Sequence, residues 1–146
     1  MNRLDTYPQS CGSSQVLSLV CNVANEEAVE ASFAQTLAEF GRVDACFGNA
    51  GVARSGRFDE FSTEDWRAVL DVNLDGLFFT LRAAARHMRQ RAEAGDAGGR
   101  LIGTASLGAL MGMARVEAYG ASKGAVISFM QALAVEYARY GVTANS

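Results

Sequence analysis

The sequence alternates short apolar runs with longer segments of helical periodicity, and this order limits the fold more than any other feature. The apolar runs cover 16–20, 43–47 and 101–106. Buried strands that alternate with helices favour a parallel sheet, because parallel strands need long crossover connections, which are usually helical. The sequence therefore predicts an α/β fold, with a loop over 1–15 and the start of a further strand over 142–146.

Three helices are predicted, over 26–40, 63–91 and 117–140. Asn25 is a typical N-cap of the first helix, and Gly41 ends it. Gly141 closes the third helix in the same way. Asparagine forms helices poorly, so an irregularity is expected near Asn73 in the second helix.

The composition indicates a single packed domain. The chain has 146 residues, of which 49% are hydrophobic and 20% charged, values typical of one globular unit. A net charge of -3 gives no basic footprint for nucleic acid. The basic residues are scattered, apart from a cluster on one predicted helix that we interpret as a solvated face: Arg82, Arg86, Arg89 and Arg91.

The cysteines and the N-terminal residues indicate a reduced compartment. Cys11, Cys21 and Cys46 form no C-x-x-C pair, so neither a disulfide framework nor a metal site is expected. Reduced thiols are typical of cytosolic proteins. The first residues lack the apolar core of a signal peptide, and no run of 18 apolar residues occurs. We therefore expect a cytoplasmic protein without a membrane span.

Tyr119 and Lys123 stand four residues apart in a predicted helix, so their side chains lie on the same face. An ammonium close to a phenol stabilises the phenolate, which suits the pair to acid–base chemistry. Alone, this spacing is much more often a surface contact. Ser106 lies 13 residues before Tyr119, after a predicted strand, and 48–51 reads G-N-A-G after another. Ligands of open α/β sheets bind beyond such strand ends.

The sequence resembles the short-chain dehydrogenase/reductase family in four features that occur in the family's order: Gly48 to Gly51, Asn73, Ser106 and the Y-x-x-x-K pair. The resemblance covers the chain from Val16 to its end. It implies a Rossmann-like, doubly wound parallel sheet with helices on both faces, in three α/β/α layers. Residues 1–146 would be a single partial domain of this kind. The implied activity interconverts an alcohol and a ketone or aldehyde by hydride transfer, with NAD or NADP as cofactor.

The resemblance also implies residue roles. Tyr119 would exchange a proton with the substrate oxygen, and Ser106 would hydrogen-bond the same oxygen. Lys123 would assist Tyr119 and hold the nicotinamide ribose, while Asn73 would hold a water in a proton relay. The implied cofactor contacts are Asn22, Val23, Asn49, Ala50, Gly51, Tyr119 and Lys123.

Three departures from the family pattern stand out. Asn22 replaces the usual acid before Val23, and Gly48 replaces the first asparagine of N-N-A-G. No glycine loop of the form G-x-G-x-x-G is found. That loop binds pyrophosphate through backbone N–H groups, so we expect the 146-residue chain alone to bind dinucleotide weakly. The first two strands of the family's sheet and the segment after Ser146 are expected to be missing, which would leave 16–20 without a neighbouring strand.

Two alternatives to the enzyme remain. Residues 120–124 match the G-x-S-x-G motif of serine hydrolases. Ser122, however, lies inside a predicted helix, and His87, the only histidine, precedes it in the chain, which is the wrong order for that motif. Replacing Ser122 by alanine is then expected to leave a complete oxidoreductase largely active.

The second alternative is a non-catalytic assembly partner. The helices near 63–91 and 117–140 resemble the pair through which family members form dimers and tetramers, so a homo-oligomer is expected. The substrate is not identified by the sequence. Leucines and methionines in 107–117 indicate either an apolar alcohol or ketone, or core packing.

Overall fold

The computed structural model describes residues 10–11 and 14–146. Its strands and α-helices are, in chain order, β1 (Ser10–Cys11), β2 (Ser14–Gln15), α1 (Glu26–Phe40), β3 (Ala45–Gly48), α2 (Thr63–Leu70), α3 (Gly76–Glu93), β4 (Gly99–Gly103), α4 (Glu117–Tyr137) and β5 (Val142–Asn145). A π-helical turn, Asp71–Asp75, joins α2 to α3. Short 3-10 helices cover Phe58–Glu60, Leu107–Ala109 and Ala138–Tyr140.

Strands β3, β4 and β5 form a parallel sheet in that order, so the predicted parallel α/β arrangement is confirmed. Cys46 lies opposite Leu101, and Leu101 lies opposite Ala144, on the face that packs against the helices. Phe47 and Thr143 point to the other face and are exposed. Within the described residues the helices cover one face of the sheet, and a second helical layer is not among them.

The helix ends follow the predicted signals. Asn25 Oδ1 accepts a hydrogen bond from Ala28 N at 2.8 Å and so caps α1. Gly41 ends α1 with a left-handed φ of 76°. Gly141 adopts a φ of 70° after the last 3-10 turn, a conformation that costs glycine little. The irregularity predicted near Asn73 is the π-helical turn.

The strand predicted over 16–20 is wrong, since these residues form none. No strand among the described residues lies beside them, and an unpaired strand leaves its backbone N–H and C=O groups without partners. The loop predicted over 1–15 is wrong in part, because β1 pairs antiparallel with β2. The rest of that prediction, over 1–9, 12 and 13, lies outside the described residues.

Three of the four arginines of α3 contact acidic side chains of neighbouring segments, whereas Arg89 pairs with Glu93 of α3 itself. Arg82 pairs with Glu26 of α1, and Arg86 Nη1 lies 3.1 Å from Glu30 Oε2. Arg91 Nε lies 2.8 Å from Asp96 Oδ2. The cluster therefore links α3 to adjacent elements in addition to facing solvent. No helix in the described ranges has the length and apolar character that crossing a bilayer requires.

Candidate active site

The segments that follow β3 and β4 meet at the carboxyl edge of the sheet. Thr104 N donates to Gly48 O at 3.0 Å. Thr104 Oγ1 donates to Asn49 Oδ1, also at 3.0 Å. Parallel strands bring their carboxyl ends to one edge, and open α/β sheets bind ligands there. Asn49 and Ser106, far apart in sequence, therefore belong to the same edge.

Lys123 connects α4 to this edge. Its Nζ donates to Thr104 O at 2.6 Å, and the residue is only 4% exposed. A buried ammonium is costly unless hydrogen bonds compensate it, and the Thr104 carbonyl supplies one of them. Lys123 Nζ lies 5.9 Å from the centre of the Tyr119 ring. The pair thus lies on one face of the helix, as its spacing predicts.

Asn73 is buried in the π-helical turn and is 1% exposed. Its Oδ1 accepts from Val52 N at 2.7 Å, and its Nδ2 donates to Val52 O at 2.9 Å. Nδ2 also donates to Ser122 Oγ at 3.0 Å. Both amide hydrogens therefore have protein partners, and the side chain joins three segments of the chain. The expected role of Asn73 in a proton relay stays a prediction.

Ser106 and Tyr119 flank the same glycine. A Cβ built on Gly108 would lie 3.6 Å from Ser106 Oγ and 3.5 Å from Tyr119 Cε1. Ser106 Oγ accepts from Gly108 N at 3.1 Å. Because a serine hydroxyl also carries a hydrogen, Ser106 can still donate to an incoming oxygen.

The expected cofactor residues lie beside these groups. A Cβ built on Gly51 would lie 3.5 Å from both Asn73 Oδ1 and Lys123 Nζ, so Gly51 adjoins both groups. Val23 lines a cavity of about 60 Å³ together with Asn49 and Ala50.

Two of the three departures from the family pattern, Asn22 and Gly48, have local explanations. Asn22 Oδ1 accepts from Ala24 N at 3.2 Å, which forms a turn next to Val23. A Cβ on Gly48 would overlap Leu77 Cδ1. The absence of a side chain at position 48 therefore leaves room for Leu77 to pack under the loop.

The role of Ser122 in the site is what sequence reasoning missed, since the sequence singled out this residue only through the hydrolase motif. Ser122 is 0% exposed, and its Oγ donates to Tyr119 O at 2.7 Å. The available signal was its position three residues after Tyr119, because serines inside helices commonly bond a carbonyl of the preceding turn. Burial also removes Ser122 from the reach of a substrate, which argues against the serine hydrolase.

His87 lies away from this edge. Its Nε2 accepts from Val43 N at 3.2 Å, before the start of β3 and at the opposite end of that strand from Asn49. Burial, followed by the charge of Arg91, lowers the pKa of His87 below its ordinary value.

Cys46 is a packing residue of the sheet. Burial raises the pKa of its thiol to about 11, so the thiol stays protonated and unreactive at neutral pH. Within 10–11 and 14–146, no three His, Cys, Asp or Glu side chains group as metal ligands.

Relatives with known names match most of this chain. Levodione reductase of Leifsonia aquatica is 33% identical over 144 residues, which are 98% of this chain and 51% of that protein. A 3beta-hydroxysteroid dehydrogenase of Mediterraneibacter gnavus is 34% identical over 86% of this chain and 44% of its own length. The chain thus spans about half the length of the curated relatives it matches.

Solved structures match the fold. A short chain dehydrogenase from Mycobacterium avium aligns with a TM-score of 0.87 and 32% identity, over 92% of this chain and 47% of the other. A gluconate 5-dehydrogenase from Burkholderia cenocepacia, in complex with NADP and tartrate, aligns with a TM-score of 0.78 and 35% identity, over 84% and 46%. The predicted Rossmann-like fold class is confirmed. The family model described as short chain dehydrogenase matches residues 2–146, and the chain therefore belongs to the short-chain dehydrogenase/reductase family, whose members bind NAD or NADP.

Proposed function

We propose that this chain carries the acid–base part of an NAD(P)-dependent oxidoreductase that interconverts an alcohol and a ketone or aldehyde. The observation that carries the proposal is the grouping of Ser106 and Tyr119 around Gly108, with the Lys123 ammonium 5.9 Å from the Tyr119 ring. Because the relatives are about twice as long, the activity proposed is that of the whole protein.

The proton chemistry follows from these groups. In the direction of reduction, the Tyr119 phenol donates its proton to the substrate oxygen as the carbonyl carbon gains a hydride, and an alcohol results. NAD(P)H, when bound, supplies the hydride. Ser106 donates a hydrogen bond to the same oxygen and stabilises its developing charge. The Lys123 ammonium stabilises the phenolate that Tyr119 becomes, and oxidation reverses each step.

The residues at the carboxyl edge fit the ribose side of a dinucleotide. One N–H of Lys123 bonds Thr104, and an ammonium has three, so two can serve ribose hydroxyls. Gly51 adjoins the Lys123 ammonium. Asn49, Ala50 and Gly51 would contact the ribose and adenosine. Asn22 and Val23 would lie near the adenine.

We further propose that the 146-residue chain binds dinucleotide weakly by itself. The described residues offer no glycine-rich turn at a helix start, where backbone N–H groups hold a pyrophosphate. Isothermal titration with NADH and NADPH tests this point. A dissociation constant of about 1 μM would contradict it.

An assay of NADH or NADPH consumption with simple ketones, at high cofactor concentration, tests the proposed activity. Tyr119→Phe keeps the ring but removes the proton, and the rate should fall by about 10²–10⁴-fold. Tyr137→Phe is the matched control, since Tyr137 lies on the same helix but distant in sequence from Ser106 and Lys123. Equal rates in the wild type and Tyr119→Phe would contradict the assignment of Tyr119.

An apolar substrate is the more specific form of the proposal. Four large apolar side chains follow Ser106, with exposed fractions between 55% and 74%: Leu107, Leu110, Met111 and Met113. This exposure favours substrate contact over core packing in the described residues. A series of methyl ketones of increasing chain length should show rising kcat/KM, whereas a preference for the shortest ketone would contradict this proposal.

A second candidate function is assembly through α3 and α4. These helices line a cavity of about 230 Å³ with apolar side chains that include Phe78, Leu81 and Phe129. Val135 on α4 is 83% exposed. We propose a homo-oligomer that uses this surface. Gel filtration with light scattering should give a dimer or tetramer, and a monomer at all concentrations would exclude it. Assembly without NAD(P)H consumption would favour a non-catalytic partner.

A further inference from the structure

We propose that Ser122 is a positioning residue that ties Asn73 to the turn of α4 that carries Tyr119 and Lys123. The functional meaning rests on the proposed role of Tyr119, although the contacts do not. Ser122 is 0% exposed and directly precedes Lys123. A hydroxyl buried to this degree needs partners inside the protein.

The hydrogen bonds of Ser122 have only one consistent direction. A backbone carbonyl can only accept, so the Ser122 hydroxyl donates to Tyr119 O at 2.7 Å. Its oxygen is then the acceptor for Asn73 Nδ2 at 3.0 Å. One hydroxyl therefore joins the backbone of α4 to a side chain of the π-helical turn.

The hydrogen bonds to Val52 and Ser122 fix the orientation of the Asn73 side-chain amide. Val52 N must donate, so it faces Oδ1 at 2.7 Å. Val52 O must accept, so it faces Nδ2 at 2.9 Å. The second hydrogen of Nδ2 then points to Ser122 Oγ, and a half-turn of the amide would break all three bonds. Without the Ser122 hydroxyl, one buried N–H of Asn73 loses its partner, which is costly.

The consequence concerns the geometry of the acid–base pair. Tyr119 and Lys123 lie on the turn of α4 that Ser122 holds, and Gly51 adjoins the side chains of both Lys123 and Asn73. Loss of the Ser122 hydroxyl removes the hydrogen bond that joins this part of α4 to Asn73 in the π-helical turn. The spacing of the Lys123 ammonium and the Tyr119 ring, 5.9 Å in the structure, should then change.

Nuclear magnetic resonance of the isotope-labelled chain, without cofactor, tests the proposal. Two readouts are used: hydrogen exchange of the Asn73 side-chain amide, and the nuclear Overhauser effect between the Lys123 side chain and the Tyr119 ring. The Lys123 signals are readily assigned, because the sequence contains no other lysine. Ser128→Ala is the matched control, since Ser128 is exposed on the same helix.

In Ser122→Ala, exchange of the Asn73 amide should be faster by about tenfold or more, and the Lys123–Tyr119 effect should weaken. Ser128→Ala should retain both signals. A folded Ser122→Ala with both readouts unchanged would overturn the proposal.

If Ser122→Ala does not fold, the wild-type chain decides the question. Two resolved, slowly exchanging Asn73 side-chain signals, with contacts to the Ser122 β-protons, support the proposal. Rapid exchange of both hydrogens would overturn it. Neither readout needs turnover, so an absence of NAD(P)H consumption would count against the proposed function and not against this role of Ser122.

Discussion

Lys123 donates a hydrogen bond to the backbone carbonyl of Thr104 at 2.6 Å, and this contact joins the second turn of α4 to the end of β4, the central strand of the parallel sheet. Thr104 in turn bonds Gly48 and Asn49. The ammonium is therefore placed by backbone geometry at the junction of β3, β4 and α4. A cation held in this way can serve both a phenolate and a ribose.

Lys123→Met is expected to lower the activity strongly while changing the stability of the fold little. Methionine has similar length and removes the cost of burying a charge, which offsets the loss of the hydrogen bond to the Thr104 carbonyl. We expect the free energy of unfolding in urea to stay within about 1.5 kcal/mol of the wild type. NAD(P)H consumption should fall by about 100-fold. Retained activity in this variant would contradict the role given to the ammonium.

Asn73→Ala should be strongly destabilising, because it leaves the buried Ser122 hydroxyl and both polar groups of Val52 without their partner. The expected loss is about 2–4 kcal/mol in the free energy of unfolding. Asn49→Ala serves as the control, since Asn49 is exposed and accepts a single bond from Thr104. Equal losses of the free energy of unfolding in the two variants would show that the three hydrogen bonds of Asn73 stabilise the fold no more than the single bond of Asn49.

Gly48→Ala tests the packing under the G-N-A-G loop. Its new methyl group would overlap Leu77 Cδ1, and overpacking of this kind costs about 1–3 kcal/mol. Leu77→Val shortens the opposing side chain. The double variant should therefore be less destabilised than the sum of the two single variants. Strict additivity in urea unfolding would mean that the two side chains do not compete for this space.

We expect mild acid to destabilise the protein through His87. Its Nε2 accepts from Val43 N, which only an unprotonated nitrogen can do. Burial and then the charge of Arg91 lower its pKa below the ordinary value of 6.5, although Asp44 and Asp96 oppose Arg91 and Arg42. The folded pKa lies below the unfolded one. The stabilisation is therefore complete above about pH 6.5 and is lost as the pH falls through the folded value.

Urea unfolding between about pH 8 and pH 5 should reveal this loss in the wild type. In His87→Gln, an amide oxygen can still accept from Val43 N but does not titrate in this range. Its pH dependence should be shallower. Identical slopes for the two proteins would assign the acid sensitivity to other groups.

The local signals in the sequence were sufficient for the helices and for part of the sheet. Asn25 and Gly41 bounded α1 because a cap acts on groups only a few residues away. Strand bounds were less accurate, with β3 beginning at Ala45 and β4 at Gly99. Strand limits depend on which residues of a neighbouring strand are available for pairing, and that neighbour is distant in sequence.

The residues of the site were named by their order in the sequence, but their contacts required the fold. Tyr119 and Lys123 could be paired from helical spacing alone. No local pattern could show that Asn73 reaches Val52, 21 residues away, or Ser122, 49 residues away.

The sequence by itself thus determined the chemical groups, the helix limits and the alternation that produces a parallel sheet. The tertiary structure alone decided that 16–20 forms no strand, that Gly48 makes room for Leu77 and that Ser122 is buried against Asn73. The reason is physical. Periodicity and capping act within a few residues of the chain, whereas strand pairing and the satisfaction of buried polar groups depend on partners that only folding brings together.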